Sequence, residues 1–289
     1  MTDFKQLSAR VVGRMRDIVL STPLHRLPGL KRVYDRFRSA ATPTERVWID
    51  HHGYEMYVDP QDRIGYQLYR GHWEPEVEQT IREQVPPGGT VVDVGGHFGA
   101  YTLQMRRAVG PDGDVVVFEP HPDNVEMLRR TVDRNSFENV VLEERAVADS
   151  EGTTELLVVE ESSLSSTHEG VDLSEDFEQS TVEVNTVGLG SYLEEQFDTV
   201  DFIKMDIQGA EIAAIRGLEA YVENVRSILL EVHDTLSRTQ IETIFELLST
   251  HGTLRDVKGR ELIRTPGALG DSLHVLWTNE SIGEKGAGR

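Results

Sequence analysis

The sequence predicts an α/β protein built on a doubly wound, mostly parallel sheet with a small N-terminal extension of helix and hairpin. From residue 90 onward, short β-branched runs alternate with amphipathic stretches of helical period. This alternation is typical of right-handed crossovers, which place helices on both faces of a parallel sheet. The chain has 289 residues, of which 38% are hydrophobic, so it can bury a sizeable core. It contains no cysteine, which excludes disulfides, thiolate zinc sites and cysteine nucleophiles.

The formal net charge of -21 restricts what the protein is expected to bind. A strongly acidic surface disfavours general binding to the phosphate backbone of nucleic acids, and it is compatible with adaptation to salt. No run approaches the roughly 20 apolar residues of a membrane span, and the N-terminus lacks the apolar segment of a secretory signal. These features predict a cytoplasmic protein that does not bind nucleic acid.

Residues 1–45 are predicted to form a basic helical extension. The first 40 residues carry nine lysines and arginines against three aspartates, whereas the rest of the chain is acidic. Leu7, Val11, Met15 and Ile18 recur at helical spacing. We expect this helix to pack on the acidic body of the protein. Weak contact with an anionic membrane surface is the alternative.

Residues 46–85 are predicted to form a β-hairpin and a helix that lead into the core. Two short runs, Val47–Asp50 and Tyr54–Asp59, flank Gly53, as in a hairpin with glycine in its turn. A helical stretch, Pro75–Gln84, follows. The prolines and glycines directly after it end this segment and mark the start of the main domain.

The main domain, 86–280, is predicted to alternate strands and helices. Its strands are expected at Thr90–Gly95, Asp114–Glu119, Val140–Arg145, Thr153–Val159, Thr181–Val187, Val200–Asp206, Arg226–Val232, Leu254–Val257 and Ser272–Thr278. Its helices are expected at Ala100–Val109, Pro122–Arg134, Leu189–Gln196, Ala210–Leu218 and Arg238–Ser249. The polar segment Ser162–Ser180 predicts a surface loop, and the residues after Thr278 predict a tail that is frayed over 281–289.

The stretch TVVDVGGHFGAYT, which begins at Thr90, predicts a binding turn between a buried strand and a helix. Its glycines, Gly95, Gly96 and Gly99, permit a tight turn and a close approach of the backbone to a ligand. The helix start offers unpaired N–H groups, so the turn suits a nucleotide-like ligand. Asp93, near the end of the strand, can reach a ligand's ammonium group or accept hydrogen bonds from the turn itself.

Two further strand ends extend this candidate site. Glu119 follows the second strand, 20 residues after Gly99, in the range for an acid that binds ribose hydroxyls. Ala146 and Val147 follow the third strand, where small apolar side chains can cover an adenine ring. Because ligands of doubly wound sheets bind at the carboxyl ends of the strands, these residues are expected to line one pocket.

Titratable residues gather at the next two strand ends. Asp206 ends one strand, and Glu211 lies in the first turn of the following helix. Glu231 and His233 end the next strand and, at period two, point to the same side. Histidine titrates near neutral pH and suits a general base. Alternatively, Glu211 only compensates a helix dipole, Glu231 pairs with Lys204 and His233 caps its loop. Three carboxylates and a histidine could also hold a divalent cation.

Together these motifs resemble those of the FkbM family of S-adenosylmethionine-dependent methyltransferases. The family pattern D-V-G-A-N-x-G-x-x-T is matched at Asp93, Val94, Gly95, Gly99 and Thr102, with Gly96 in place of alanine and His97 in place of asparagine. Three more segments are similar to family motifs: Phe118–Pro120 to the ribose-binding turn, Ile203–Glu211 to I-K-[IM]-D-[VI]-E-G-A-E with Gln208 in place of a glutamate, and Glu231–His233 to E-V-H. The resemblance covers about 71–276.

The resemblance implies a Rossmann-like fold of the class I methyltransferase type, with S-adenosylmethionine as the methyl donor. We expect the cofactor to be held by Asp93, Gly95, Gly96, His97, Gly99, Thr102, Glu119, Ala146 and Val147. The expected reaction is methylation of a hydroxyl on a sugar, a glycan or a secondary metabolite, with His233 or Asp206 as the base. Glu211 and Glu231 would orient the base or bind the acceptor. No residue is assigned to a metal, and the divalent cation is the less favoured route.

Two other functions are compatible with the same fold. A nicotinamide-dependent oxidoreductase would need the turn G-x-G-x-x-G, which His97 interrupts. A catalytically inactive binding module would keep the fold without turnover, and the intact Asp93, Glu119, Asp206 and His233 argue against it.

Overall fold

The computed structural model describes residues 6, 8–11, 14, 36, 40–71, 73–159, 179–233, 235–262 and 274–283. The predicted basic extension lies almost entirely outside these residues, as do most of the predicted loop Ser162–Ser180 and the end of the tail, 284–289. The chain divides into two compact units, 1–74 and 75–289. Within the described ranges, no helix combines the length and apolar character that crossing a membrane requires.

The first unit contains the predicted hairpin. Strands β1 (Val47–His51) and β2 (Tyr54–Val58) pair in antiparallel register, which confirms the hairpin. A helix that was not predicted follows, α1 (Arg63–Tyr69). Asp62 caps it, because its carboxylate accepts hydrogen bonds of 2.7 and 3.0 Å from two N–H groups of the first turn. An aspartate before a short helix supplies the acceptor that the unpaired donors of a helix start need.

The second unit contains the alternating strands and helices. Its strands are β3 (Thr90–Val94), β4 (Asp114–Phe118), β5 (Val140–Glu143), β6 (Ala146–Ala148), β7 (Gly152–Val159), β8 (Gln179–Gly188), β9 (Phe202–Met205), β10 (Ser227–Glu231), β11 (Gly252–Asp256) and β12 (His274–Asn279). Its helices are α2 (Pro75–Gln84), α3 (Ala100–Val109), α4 (Pro122–Arg134), α5 (Leu189–Gln196), α6 (Glu211–Leu218), α7 (Arg238–Ser249) and a final turn, α8 (Glu280–Gly283). Helices α2 to α5 and α7 have the bounds that the sequence predicted.

Seven strands form one sheet in the order β11-β12-β10-β9-β3-β4-β5. Strands β10, β9, β3, β4 and β5 are parallel, and β12 is antiparallel to both of its neighbours. The chain runs outward from β3 to β5 and then returns to the other side of β3 at β9, so the strand order reverses between β3 and β9. In such sheets, ligands bind beyond the carboxyl ends of the strands at this switch point. The predicted doubly wound, mostly parallel α/β class is confirmed.

A separate three-stranded sheet has the order β6-β8-β7. Strand β7 is the predicted extra strand, and it pairs with β8 in antiparallel register. Strand β6 was not predicted, because three residues are too few for a period of two to be recognised. The predicted surface loop ends early, since Gln179 and Ser180 already pair with β7.

The main core lies against one face of the seven-stranded sheet. Alternate side chains of the parallel strands pack against the apolar sides of α5, α6 and α7. The strand residues are Val92, Val94, Val116, Phe118, Ile203, Met205, Ile228 and Leu230, and the helix residues include Leu189, Leu193, Ala214, Ile215, Leu218, Ile244, Phe245 and Leu248. Asp93 and Lys204 lie between core residues along their strands. The period of two therefore directs both to the opposite face, away from this core.

The C-terminal residues differ from the prediction of a tail after Thr278. Asn279 ends β12 and is buried, and its side-chain amide donates to the carbonyls of Glu223 and Val225, each at 3.1 Å. Its Oδ1 accepts a hydrogen bond from the N–H of Ser281 at 3.0 Å. These bonds anchor α8, so order extends at least to Gly283.

Gly95 provides a test of the close packing after β3. It has a φ of +86°, and a Cβ there would overlap the backbone carbonyl of Asp206. Gly95→Ala is expected to lower the free energy of unfolding by about 2–5 kcal/mol, because a backbone clash adds to left-handed strain. Gly88→Ala is the matched control, since Gly88 has a φ of +73° in open space and only strain of about 1–2 kcal/mol applies. Urea unfolding measures both, and equal losses would contradict the role of the close approach.

Candidate active site

The turn after β3 is held in shape by contacts within the protein. Gly95 and Gly99 have φ values of +86° and +93°, and Gly99 is the N-cap of α3. A Cβ at Gly96 would overlap the side chain of Val117. His97 has a φ of +49°, a region in which His and Asn are both enriched among non-glycine residues. The turn therefore tolerates histidine where the family pattern has asparagine.

Asp93 is fully buried on β3 and faces the start of α3. Its Oδ2 accepts a hydrogen bond from the hydroxyl of Thr102 at 2.6 Å. Its Oδ1 is buried and has no hydrogen-bond partner among the described residues. Burial raises the pKa of Asp93, although the Lys204 ammonium and the Thr102 hydroxyl act to lower it. A buried carboxylate oxygen without a donor fits the predicted contact with a ligand's ammonium group.

Glu119 lies directly after β4 and contacts the same turn. Its Oε2 accepts from the N–H of His97 at 2.7 Å, and its Oε1 accepts from the N–H of His121 at 2.8 Å and weakly from Asn124 at 3.4 Å. Oε2 keeps a lone pair for a further donor, such as a ribose hydroxyl. Burial raises the pKa of Glu119 to about 7, although these hydrogen bonds act to lower it. The residues around the turn thus fit a nucleoside-type cofactor.

Ala146 and Val147 lie in β6, in the smaller sheet. Ala146 packs in a cluster with Leu156 and Val184, and Val147 belongs to the main core. The structure therefore shows both side chains in contact with the protein interior, and their role at an adenine ring stays a prediction.

Lys204 lies at the centre of the site, although sequence analysis named it only as a partner for Glu231. Its side chain is 2% exposed, and it stands opposite Asp93 in the register of β9 and β3. Its Nζ donates to Oδ2 of Asp206 at 3.0 Å and lies 4.5 Å from the ring centroid of Tyr101. Burial acts to lower the pKa of Lys204, but the carboxylates of Asp206, Asp93 and Glu231 raise it, so the ammonium stays charged.

The signal that would have found Lys204 is its place in a strand. All four residues of β9 are buried, and a lysine is rarely fully buried unless it is paired. A lysine within an otherwise apolar parallel strand therefore predicts a buried carboxylate partner.

The structure brings Asp206, Glu211 and Glu231 together around His233. Nδ1 of His233 lies 2.7 Å from Oε1 of Glu211, which also accepts from the N–H of Gly209 at 3.1 Å. Nε2 of His233 lies 3.4 Å from Oδ1 of Asp206 and 3.5 Å from Oε1 of Glu231. The four predicted residues therefore form one cluster, which we call the His233 cluster.

Gln208 joins this cluster through its side-chain amide. The amide nitrogen lies 2.8 Å from Nε2 of His233 and 3.1 Å from Oδ1 of Asp206. Its backbone has a φ of +52°, a strained value for a residue other than glycine. In the sequence alone, Gln208 stands out only as a departure from the family pattern.

Charges determine the protonation of the His233 cluster. Burial acts to lower the pKa of His233, but the hydrogen bond to Glu211 and the charges of Asp206, Glu211 and Glu231 raise it to about 9. Burial alone would raise the pKa of Asp206, yet Lys204 and His233 hold it well below its usual range. Burial and the neighbouring Asp206 raise the pKa of Glu231. The carboxylates favour a protonated His233, so a role as base requires this bias to be offset.

The geometry also bears on the divalent cation. One donor atom from each of Asp206, Glu231 and His233 lies within 4.8 Å of the others. Lys204 and Gln208 both donate hydrogen bonds to Asp206, and the Gln208 amide lies against His233. The oxygens of Asp206 therefore accept hydrogen bonds from protein donors, and a divalent cation at this cluster stays the less favoured prediction.

The fold and the site define a class of protein. A mostly parallel sheet in this strand order, with β12 antiparallel between β11 and β10, a glycine turn after β3 and an acid after β4, fits the Rossmann-like, class I form of the S-adenosylmethionine-dependent methyltransferases. The chain belongs to the FkbM family of these enzymes, because the Methyltransferase FkbM domain matches residues 93–257, more than half of its length. This assignment selects the methyltransferase over the nicotinamide-dependent interpretation.

Curated relatives are distant. Methyltransferase 1 from Beauveria bassiana is 23% identical over 184 residues, which are 58% of this chain and 73% of that protein. Ribosomal RNA large subunit methyltransferase E from Delftia acidovorans is 30% identical over 71 residues, which are 25% of this chain. The chain spans only 32% of the length of this second relative.

Solved structures with a similar chain path are also distant. Methyltransferase FkbM from Methylobacillus flagellatus is 14% identical, with a TM-score of 0.41 over 74% of this chain and 52% of that chain. A SAM-dependent O-methyltransferase from Thermotoga maritima is 13% identical, with a TM-score of 0.42 over 85% of this chain and 81% of that chain. The family assignment rests on the domain match.

Glu119 provides a test of the cofactor site. Glu119→Ala is expected to weaken S-adenosylmethionine binding by about 1.5–3 kcal/mol, the range for hydrogen bonds to a charged group. In the unmodified protein, affinity should fall as the pH drops through about 7, because the raised pKa of Glu119 means that its carboxylate is protonated below that value. Calorimetry from pH 8 to 6 measures both effects. Glu144→Ala removes an exposed glutamate as the control, and unchanged affinity in folded Glu119→Ala would remove Glu119 from the site.

Proposed function

We propose that the protein is an O-methyltransferase that acts on a hydroxyl of a sugar, a glycan or a secondary metabolite. The observation that supports this most directly is the contact of His233 with Glu211, 2.7 Å from Nδ1. A carboxylate at one ring nitrogen orients an imidazole so that its other nitrogen can act as a base toward a hydroxyl. Asp206, one strand away, supplies a permanent negative charge beside that nitrogen.

In cofactor binding, the residues of the protein would hold and orient S-adenosylmethionine. S-adenosylmethionine, when bound, supplies an electrophilic methyl group whose bonding electrons stay with the sulfur. Oδ1 of Asp93 would take its ammonium group, and Oε2 of Glu119 would accept from its ribose. Both carboxylates lie at the carboxyl ends of β3 and β4, and the His233 cluster lies at the ends of the adjacent β9 and β10. Donor and acceptor would therefore meet at the switch point of the sheet.

The proton of the acceptor hydroxyl needs a base, because an alcohol is a weak nucleophile. With S-adenosylmethionine bound, Nε2 of His233 would take the proton of the acceptor hydroxyl as that oxygen is methylated. The imidazolium that results is stabilised by Glu211 at Nδ1 and by the charges of Asp206 and Glu231. General-base catalysis of this kind contributes about 10²–10⁴ in rate.

Two observations support a small-molecule or glycan acceptor. The side chains of Asp206 and Glu231 are 23% and 16% exposed, so their oxygens can accept hydrogen bonds from neighbouring hydroxyls of a polyol. The net charge of -21 repels a polyanion such as nucleic acid. The ribosomal RNA methyltransferase match covers only 25% of the chain and therefore transfers no acceptor.

His233 provides the test of the proposed chemistry. His233→Gln is expected to lower kcat by about 10²–10⁴, with almost unchanged cofactor affinity, because the side chain acts on the acceptor. In the unmodified protein, kcat/KM should rise toward pH 9, since the pKa of His233 is raised to about 9 and only the unprotonated ring accepts a proton. Release of S-adenosylhomocysteine with a panel of sugar and phenolic acceptors measures turnover.

The other interpretations give different results in the same assay. Near-normal turnover by His233→Gln would contradict its role and leave Asp206 as the next candidate for the base. Cofactor binding without turnover on any acceptor would indicate a binding module. Activity that is lost on chelation and restored by a divalent cation would favour the metal route.

A further inference from the structure

The side chain of Gln208 lies between the proposed base and the carboxylate beside it. Its amide nitrogen is within hydrogen-bond distance of two atoms, Nε2 of His233 at 2.8 Å and Oδ1 of Asp206 at 3.1 Å. The proposed mechanism does not use this residue. Its position nevertheless determines what Nε2 can do before an acceptor arrives.

The hydrogen bonds of this network have fixed directions. Lys204 can only donate, so Oδ2 of Asp206 accepts from it at 3.0 Å. Lys204 also keeps Asp206 ionised, so Oδ1 can only accept. Gln208 must therefore present its NH₂ group, and not its carbonyl oxygen, to Asp206. The same NH₂ group faces Nε2 of His233, which can accept that hydrogen bond only through an unprotonated lone pair.

The contact of the second ring nitrogen, Nδ1, agrees with an unprotonated Nε2 in the neutral ring. Nδ1 of His233 lies 2.7 Å from Oε1 of Glu211, so Nδ1 carries the proton. Oε1 is held in place by the N–H of Gly209 at 3.1 Å. Gln208 and Gly209 have φ values of +52° and +108°. The turn that contains Gln208 and Gly209 therefore acts on both sides of the imidazole. Gln208 contacts Nε2 directly, and Gly209 holds the Glu211 carboxylate that contacts Nδ1.

We propose that Gln208 is a positioning residue that favours the neutral ring of His233 with its proton on Nδ1, so that Nε2 is the nitrogen that can act as a general base. The catalytic meaning of this inference rests on the proposed function. When the acceptor binds, its hydroxyl takes the place of the amide as the donor to Nε2. Asp206 then remains as the second acceptor for the displaced NH₂ group.

The charged groups that face His233 act in the opposite direction. They are Glu211 on α6, Asp206 after β9 with Lys204 behind it, and Glu231 on β10 with Nε2 of His274 3.5 Å from its Oε2. The three carboxylates favour the imidazolium, whereas the Gln208 donor favours the neutral ring. Glutamate, the residue that the family pattern has at position 208, could only accept hydrogen bonds. It would also place a fourth carboxylate beside His233.

Gln208→Glu tests this role, because it replaces the donor by an acceptor of the same size. Its expected effect is an upward shift of about 1–3 pH units in the titration midpoint of His233, the range for a new charge at this distance. Gln208→Met removes the donor without adding charge and should shift the midpoint upward by less. Nitrogen NMR of histidine-labelled protein without ligands measures the midpoint and the tautomer, and the His233 signal is assigned by its loss in His233→Gln.

The pH dependence of kcat/KM gives the second readout, because it reports groups of the free enzyme. The acidic limb in Gln208→Glu should move upward with the NMR midpoint, and activity should recover at higher pH. A purely structural defect would lower activity equally at every pH. Gln79→Glu, an exposed glutamine on α2, is the matched charge control and should leave both readouts unchanged.

The two experiments separate this inference from the proposed function. A midpoint that is unchanged in both Gln208 variants, or a neutral His233 ring that carries its proton on Nε2 and not on Nδ1 in the unmodified protein above its titration midpoint, would overturn the role of Gln208. If the midpoint shifts but His233→Gln retains full turnover, the Gln208 contact is supported and the base assignment is contradicted. Circular dichroism and melting curves establish that each variant is folded.

Discussion

The ion pair between Lys204 and Asp206 is the interaction on which the rest of the site depends. The ammonium is buried in a central parallel strand, and Asp93 stands opposite it in the neighbouring strand. Removing one partner of a buried ion pair costs about 3–5 kcal/mol, because the remaining charge is left uncompensated. The positive charge of Lys204 keeps Asp206 ionised at the end of β9. An ionised Asp206 then orients the amide of Gln208, and the amide in turn determines which nitrogen of His233 can accept a proton.

The switch point of the sheet explains why the cofactor side and the acceptor side of the site are close together. The loops after β3 and β9 pack against each other, and Gly95 lets the carbonyl of Asp206 approach where a Cβ would overlap it. Asp93 and Glu119 belong to one side of this contact, and Asp206 and His233 belong to the other. Because Asp93 lies in β3 and the other three side chains lie within two residues of the ends of β4, β9 and β10, the sheet can hold two reactants in a fixed orientation, which is a large part of what a transferase must supply.

Patterns that are local in the chain could be predicted well. Amphipathic period defined helices such as Ala100–Val109 and Pro122–Arg134 to the residue, since one face of each is buried against the sheet. The shorter elements α1 and β6 were missed, because their stability comes from the cap at Asp62 and from pairing with β8. Among the site residues, Asp206, Glu231 and His233 were identified from strand ends, and Glu211 was identified from the start of a helix. Lys204 was named only as a partner for Glu231 and Gln208 was given no role, because Asp93 and His233, which they meet in the structure, lie in or just after other strands.

The sequence by itself determined the class of fold, the order of the motifs and the family. Strand period, glycine spacing and acidic strand ends are properties of residues that are close together in the chain. Only the tertiary structure decided how the charges combine. The placement of Lys204 opposite Asp93, the turn of Gln208 toward His233 and the burial that raises the pKa of Glu119 to about 7 all depend on segments far apart in the chain. Electrostatic interactions and hydrogen-bond directions depend on distance, burial and orientation in space, and no spacing along a chain specifies these.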